Sequence, residues 1–215
     1  MLVLASNSPR RKQLLNLSGW EFSSFPVEVN EDVLPEEAPR EYVLRLAQKK
    51  ATVAMYGAMP GSLIVAADTT VVDQEEIIGK PCDRSEALRM LEQLRGRVHQ
   101  VYTALALIQV GENLLATDLC ITNVHMRFYS DNDLNAYVDS GDPLDKAGAY
   151  AIQHAGFNPV KHLEGCYANV VGLPICHLNR LLAKFDVFPW EHAQGACTDT
   201  ENYNCLIKPL LVREG

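Results

Sequence analysis

The sequence contains no apolar run long enough to cross a membrane. A bilayer-spanning helix needs about 20 apolar residues, and the longest apolar stretches here are interrupted by Asp68, Asp73 and Gln109. The first residues, MLVLA, are too short for the apolar part of a secretory signal and follow no basic segment. We therefore expect a cytoplasmic protein without membrane contact.

Familiar cysteine and phosphate-loop motifs are also missing. None of the six cysteines belongs to a C-x-x-C pair, and the spacing of His192, Cys197 and Cys205 fits no zinc pattern. Without a secretory signal, buried thiols are expected rather than disulfides. Cys166 could be a nucleophile, but no histidine is tied to it by a local pattern, which favours a packed thiol. There is no GxxxxGKS/T phosphate loop.

Basic residues are in deficit. The 19 Lys and Arg residues are outnumbered by 27 Asp and Glu residues, which gives a formal net charge of −8. A field of this sign disfavours nucleic acids and anionic membranes as partners, and no stretch interleaves aromatic with basic residues. An anionic small molecule remains a suitable ligand if the basic side chains gather in one cleft.

The remaining composition is that of an ordinary globular protein. Of 215 residues, 47% are hydrophobic and 21% are charged, which leaves enough apolar material for a core without disulfide or metal support. This length corresponds to one domain or a closely packed pair. We assign residues 1–188 to one domain and treat 189–215, where the regular patterns dissolve, as a C-terminal tail of unknown role.

Strand and helix patterns alternate along the chain. An apolar strand at 2–5 leads to Ser8 and Pro9, which suit the N-cap and the first position of a helix. Two long strand-like stretches, 98–110 and 114–128, predict a hairpin. The other predicted elements are a strand at 62–72 and helices at 40–56, at 83–96 behind a capping box, at 130–138 and at 172–184. The pattern predicts an α/β fold with a mixed central sheet and flanking helices.

The strongest local signal is the run SNSPRR at residues 6–11, between the first strand and the first helix. A helix N-terminus offers unpaired N–H groups and a partial positive charge, which suit a phosphate. Serine hydroxyls and the forked guanidiniums of Arg10 and Arg11 add further phosphate ligands. The alternative is a capped surface helix with solvated arginines.

Asp68 is a carboxylate within an otherwise apolar strand. A buried carboxylate must be paired, hydrogen-bonded or metal-bound, because burying it alone is too costly. Capping of a neighbouring helix or loop is the alternative, but we favour a functional site.

Four other charged positions are weaker signals. Lys80 lies in a Gly-Lys-Pro turn where glycine lets a ligand approach, although a surface turn is the simpler interpretation. Glu31 follows a strand-like alternation among acidic neighbours that should mostly be solvated. Lys49 and Lys50 lie on the predicted helix at 40–56, and at least one should be exposed. None of these positions identifies a site alone.

Taken together, these segments resemble the Maf family of nucleotide pyrophosphatases. The matching segments are SNSPRR (6–11), VNE (29–31), LAQKKA (46–51), ADT (67–69), GKP (79–81), DKAGAYAIQ (145–153) and NVVGLP (169–174). Each matching segment is weak evidence alone, but the whole set occurs in the family's order and is specific for the family. Two departures are Cys166, where relatives often have serine, and the tail, for which the resemblance supplies no counterpart.

The resemblance implies a house-cleaning enzyme that hydrolyses dTTP, UTP and modified pyrimidine triphosphates to the monophosphate and diphosphate. It also implies a divalent cation, Mg²⁺ or Mn²⁺, a fold with two lobes around a cleft like that of the inosine triphosphatases, and often a homodimer.

By position, the resemblance implies that Asp68 and Glu31 are catalytic and hold the metal. The substrate-binding residues that it implies are Ser8, Arg10, Arg11, Lys50, Thr69, Lys80 and Gln153. Of these, Arg11, Thr69 and Gln153 match the branch that acts on dTTP and UTP, and the amide of Gln153 offers a donor and an acceptor to a pyrimidine edge.

Three alternatives stay open on the sequence. A second branch of the family prefers 7-methyl-GTP. A non-enzymatic nucleotide-binding regulator of septum formation belongs to a different functional class, as does a monophosphatase or kinase-like phosphoryl-transfer enzyme. Products released from a triphosphate distinguish these classes.

Overall fold

The computed structural model describes residues 1–112, 114–154 and 156–188, so the assigned tail at 189–215, with His192, Cys197 and Cys205, lies outside the described residues. The strands are β1 (Leu2–Leu4), β2 (Phe22–Ser24), β3 (Leu63–Asp73), β4 (Glu76–Ile78), β5 (Val98–Gln109), β6 (Leu115–Met126) and β7 (Val160–Glu164). The α-helices are α1 (Pro9–Leu17), α2 (Pro39–Met55), α3 (Arg84–Leu94), α4 (Asp131–Asp139), α5 (Tyr167–Val171) and α6 (Ile175–Ala183). Within the described ranges, no helix combines the length and apolar character needed to cross a membrane.

The seven strands form one mixed sheet. Its order is β2-β1-β3-β5-β6-β7, with β4 paired to the end of β3. β1 lies parallel to β2 and β3, whereas β3, β5, β6 and β7 pair antiparallel in turn. The predicted hairpin is confirmed as β5 and β6, which pair from Val98 opposite His125 to Ile108 opposite Leu115. The predicted mixed α/β fold is therefore confirmed.

β3 is covered on both faces, which explains its nearly continuous apolar sequence. On one face, Ile64 and Ala66 belong to the core formed with α2. On the other face, Val65 and Ala67 pack with α1, α5 and α6, and Val71 packs farther along with α3 and α4. The second face thus carries two separate helix clusters, which form the two lobes that flank the site.

The last predicted helix begins later than expected. Gly172 has a left-handed φ of 113° and caps the end of the short helix α5, a conformation that stops a helix and favours glycine. The next helix, α6, begins at Ile175. The prediction of one helix across 172–184 was wrong at its start, and the short helix α5 that precedes it was not predicted.

The capping box predicted at the start of α3 is only half formed. The Asp83 side chain accepts a hydrogen bond from the Glu86 N–H at 2.8 Å. The Glu86 carboxylate, however, accepts from the N–H of Cys82 instead of Asp83, also at 2.8 Å. A complete box does begin α4, where Ser130 and Asp133 exchange side-chain to backbone hydrogen bonds.

A buried histidine links the sheet to the lobe that contains α3 and α4. His99 on β5 is 2% exposed, and its Nε2 lies 2.8 Å from the hydroxyl of Tyr150. Burial, with a smaller contribution from His125, lowers the pKa of His99 to about 3. The imidazole is therefore neutral in the folded protein at any pH near neutrality.

This burial predicts a pH-dependent stability. The unfolded chain binds a proton at His99 near pH 6.5 whereas the folded chain does not until about pH 3, so stability falls as the pH drops below 6.5. Between pH 7.5 and 5.5, His99 should account for a loss of about 1 kcal/mol in the free energy of unfolding. Urea unfolding of the protein and of His99→Gln at both pH values measures it. An identical pH dependence in the two proteins would contradict the prediction.

Candidate active site

A cavity of about 460 Å³ is lined by residues of both lobes. Its walls come from the connection between β1 and α1, from α2, from β3, from the turn at 79–81 and from the segment 145–153. All nine predicted site residues line it, namely Ser8, Arg10, Arg11, Glu31, Lys50, Asp68, Thr69, Lys80 and Gln153. The fold thus gathers residues that are far apart in the sequence.

The start of α1 forms one wall of the cavity. Ser8 is the N-cap, and its hydroxyl accepts a hydrogen bond from the Arg11 N–H at 3.4 Å, as the sequence predicted. Pro9 occupies the first helical turn, and the hydroxyl of Ser6 accepts from the Ser8 N–H at 3.2 Å. Since residues 6–11 all line the cavity, the positive end of α1 lies at its wall and favours an anionic ligand.

Arg11 holds the site together through its guanidinium. Its Nη1 donates to the Ala67 carbonyl at 2.8 Å and to the Ser6 hydroxyl at 3.4 Å. Its Nε donates to the Gly172 carbonyl at 2.8 Å, and its Nη2 donates to the Thr69 hydroxyl at 3.0 Å. Four of its five N–H groups therefore bind protein atoms. Arg11 mainly ties α1, β3 and α5 together, and has less capacity for phosphate than predicted.

Lys50 joins the two predicted catalytic carboxylates. Its ammonium donates to Asp68 Oδ1 and to Glu31 Oε1, both at 2.6 Å. Lys80 approaches the second oxygen of Glu31 at 3.7 Å. Asp68 is only 6% exposed, whereas the side chain of Glu31 is 41% exposed. The buried carboxylate is thus paired, as its place within an apolar strand requires.

The environment moves the pKa values of the two carboxyl groups apart. Burial raises the pKa of Asp68 above its ordinary value, although Lys50 and Arg11 oppose the shift. Partial burial also acts to raise the pKa of Glu31, but the hydrogen bond and charge of Lys50, with Lys80, outweigh it and lower that pKa. A carboxyl group with a raised pKa suits a general base, while one with a lowered pKa stays charged.

The donor set fits a metal ion that is shared with a substrate. Asp68 and Glu31 supply carboxylate oxygens, and the described part of the chain has no group of three or more His, Cys, Asp and Glu side chains arranged to hold a metal. Mg²⁺ is commonly held by one or two carboxylates together with substrate phosphates. The pair therefore suits a divalent ion that arrives with a phosphate ligand, and does not form an all-protein metal cage.

Apolar side chains line another part of the cavity. They include Val71 and Val101 of the sheet and Tyr150 and Ile152 of the segment 145–153. The exposed side chain of Gln153 lies in the same segment. A flat ring with polar edges fits such a combination of apolar surface and an amide side chain.

Sequence reasoning missed several lining residues. Lys146 is buried and pairs with Asp145 at 2.5 Å and with Asp142 at 3.0 Å, and its position in the 145–153 motif could have marked it. Tyr42 donates a hydrogen bond to the Glu31 carbonyl at 2.9 Å. Burial, with the charges of Asp68 and Glu31, raises the pKa of Tyr42 to about 12. Nothing in the local sequence indicates this contact.

A family profile described as "Maf-like protein" matches residues 1–185. This chain belongs to the Maf family. The match spans all the segments on which the resemblance was based, and it ends just before the segment 189–215.

Several relatives of this Maf-family protein are named pyrophosphatases. One, named dTTP/UTP pyrophosphatase, from Anaeromyxobacter dehalogenans strain 2CP-1, is 44% identical over 194 residues, which cover 88% of this chain and 97% of the relative. Another of the same name, from Dehalococcoides mccartyi strain BAV1, is 39% identical over 216 residues, which cover 97% of this chain and 95% of the relative. The second alignment necessarily extends past residue 188, so part of the segment 189–215 has a counterpart after all.

Among solved structures, the Ham1 protein of Staphylococcus aureus is similar with a TM-score of 0.43 and 12% sequence identity. The superposition covers 100% of this chain and 99% of that one. At this TM-score the structural likeness is distant. The fold class of this Maf-family chain therefore rests on its own sheet topology.

Gly172 offers a test of the Arg11 linkage. A Cβ atom at Gly172 would lie 3.2 Å from the Thr69 hydroxyl and 3.3 Å from Arg11 Nε. Gly172→Ala should cost about 1–2 kcal/mol of stability, because alanine resists the left-handed conformation, and should also displace Arg11 and lower, roughly tenfold, the triphosphate hydrolysis that the family resemblance implies.

Gly141→Ala is the matched control. Gly141 is also left-handed, with a φ of 78°, but a Cβ there meets nothing within 4 Å. Denaturant unfolding and kcat/KM are measured for both variants. We expect similar losses of stability and a loss of activity in Gly172→Ala alone, so equal activities would contradict the role assigned to Arg11.

Proposed function

We propose that the protein hydrolyses nucleoside triphosphates, namely dTTP, UTP and modified pyrimidine nucleotides, to the nucleoside monophosphate and diphosphate. The observation that carries this proposal is the buried Asp68 carboxylate in a cavity shared with the cations Arg10, Lys50 and Lys80. On a chain with a net charge of −8, such a local excess of cations suits a polyanion. The names of the relatives agree with this substrate class.

The triphosphate binds where positive charge is concentrated. The N-terminus of α1, with Ser8 and Arg10, supplies hydrogen-bond donors for phosphate oxygens. Lys50 of α2 and Lys80 of the turn at 79–81 supply further positive charge in the cavity. Neutralising the charge that develops on the leaving group is the main requirement of phosphoryl chemistry.

In the proposed reaction, a water molecule attacks the α-phosphorus while Asp68 accepts its proton. A bond forms between the water oxygen and the α-phosphorus, the bond from that phosphorus to the bridging oxygen breaks, and diphosphate leaves with the electron pair. The raised pKa of Asp68 makes its carboxylate a better proton acceptor than an ordinary aspartate. Lys50 holds the Asp68 carboxylate in place before the attack.

Asp68 and Glu31 would hold Mg²⁺ or Mn²⁺. When bound, such an ion shields phosphate charge and polarises the phosphorus–oxygen bonds. Glu31, whose pKa is lowered, stays ionised and can serve as a ligand at any pH near neutrality. Gln153 would read the pyrimidine edge with its amide donor and acceptor.

The cellular setting follows from the proposed chemistry. We expect the enzyme to act in the cytoplasm on the free nucleotide pool, without nucleic-acid or membrane partners. The homodimer implied by the family resemblance stays a prediction, and sedimentation analysis tests it.

Asp68→Asn tests the catalytic assignment. The variant should lose about 10²–10⁴-fold in kcat, because an amide cannot accept the proton. Asp73→Asn is the control, since Asp73 is equally buried on β3 but bonds to Gln93 and is not among the residues lining the cavity. With dTTP and Mn²⁺, we expect the unchanged protein and the control to release diphosphate.

The products decide between the functional classes. Near-full activity of Asp68→Asn would overturn the assignment of Asp68. Binding of dTTP without hydrolysis would favour a nucleotide-binding regulator, and release of orthophosphate instead of diphosphate would exclude a pyrophosphatase.

Gln153→Ala tests base recognition. Loss of the amide should lower kcat/KM for dTTP and UTP about tenfold, since one good hydrogen bond is worth roughly that factor. Rates with purine triphosphates, including 7-methyl-GTP, should change little. A panel of pyrimidine and purine substrates with measured diphosphate release provides the comparison, and an equal loss on every substrate would count against Gln153 as the base reader.

A further inference from the structure

Glu31 belongs to a segment without regular secondary structure. Residues 25–38 connect β2 to α2 and are mostly exposed. The Glu31 carboxylate nevertheless lies within 2.6 Å of Lys50 and 3.7 Å of Lys80. An exposed segment needs anchors if it is to hold a carboxylate in a defined position.

The anchors come from α2. The Tyr42 hydroxyl donates to the Glu31 carbonyl at 2.9 Å, and Arg45 Nη2 donates to the next carbonyl, that of Asp32, at 3.0 Å. The guanidinium of Arg45 also forms a two-point pair with the Glu37 carboxylate at 2.5 and 2.7 Å. Both ends of the segment from Glu31 to Glu37 are thus held by one helix.

The Arg45–Glu37 pair is less exposed and has a more defined geometry than an ordinary surface ion pair. The Glu37 side chain is only 6% exposed, and that of Arg45 is 27% exposed. Glu37 Oε2 also accepts a hydrogen bond from the N–H of Leu34 at 3.1 Å. This bond joins two residues within the segment. Isolated exposed pairs contribute little, but a two-point arginine–carboxylate pair fixes geometry.

The anchoring residues and Lys50 all belong to α2. Tyr42 and Arg45 are three residues apart, so they are neighbours on the helix surface, and the Arg45 guanidinium lies 5.6 Å from the centre of the Tyr42 ring. Lys50 follows Tyr42 by eight residues, about two turns, and projects from the helix on the opposite side of Tyr42 from Arg45. One helix therefore carries both the partner of the Glu31 carboxylate and the anchors of its backbone.

We propose that Arg45 is a positioning residue for the reaction, because its clamp on Glu37 and Asp32 holds the segment 31–37 against α2 and so fixes the Glu31 carboxylate in the cavity. Arg45 itself does not line the cavity and acts only through Glu31. The inference rests on the proposed function, in which Glu31 takes part in triphosphate hydrolysis.

A double-mutant cycle tests the clamp. Arg45→Met, Glu31→Gln and the double variant are compared for kcat/KM with dTTP and Mn²⁺. Loss of a supporting residue behind a ligand commonly costs about 10–100-fold, and we expect that loss for Arg45→Met. In the Glu31→Gln background, Arg45→Met should cost nothing further, because it acts through the carboxylate already removed. Arg45→Lys should restore only part of the activity, since lysine cannot form the two-point pair.

Hydrogen exchange supplies a readout independent of activity. The backbone amides of residues 30–37 should exchange faster in Arg45→Met, while those of β3 stay unchanged. The matched control is Arg84→Met, which removes an exposed arginine that pairs with Asp139 at 2.8 Å and does not line the cavity. The control should change neither kcat/KM nor the exchange of residues 30–37.

The outcomes separate the inference from the proposed function. A loss in Glu31→Gln with full activity in Arg45→Met would overturn only the clamp, as would additive losses or unchanged exchange in residues 30–37. Full activity in Glu31→Gln would overturn the role of Glu31 in the proposed function and, with it, the role of Arg45.

Discussion

The placement of one ammonium group between two carboxylates governs the architecture of the site. Asp68 lies deep in a sheet that is covered on both faces, so its charge is tolerable only beside a cation. Lys50 supplies that cation from α2 and also reaches Glu31. The contact joins the sheet, a helix and an irregular segment at one point, and each of these three carries other cavity residues.

The sheet topology explains why the site lies where it does. β3 is long enough to run past both helix clusters on one face, so its middle residues, Asp68 and Thr69, fall between the two lobes. Because side chains alternate along a strand, only the Thr69 side chain lies on the face of the two lobes, where it meets Arg11, whereas the Asp68 side chain points toward α2 on the opposite face. One strand thus places neighbouring residues in two different bonding networks of the same cavity.

Local signals in the sequence were sufficient for the main elements, and the family resemblance added nine of the residues that line the cavity. The Ser8 cap, the long hairpin and the buried β3 follow from short-range chemistry, and the ordered motifs indicated which segments converge. Three-residue strands such as β2 and β4 escaped prediction because so few residues carry no periodic pattern. β7 and the roles of Tyr42, Arg45 and Arg11 also escaped prediction, but for another reason. They depend on partners that are brought close only by tertiary folding.

The bond between Arg11 and the Gly172 carbonyl has a consequence for biosynthesis. It spans 161 positions of the chain, and β1, at the very start, pairs with β3 some sixty residues later. A ribosome delivers the N-terminal part first, so the Nε group of Arg11 lacks its carbonyl partner until nearly the whole domain has emerged, even though Ser6, Ala67 and Thr69 are available earlier. A prematurely terminated chain is therefore expected to lack the completed pocket altogether, instead of being a slower version of the full protein.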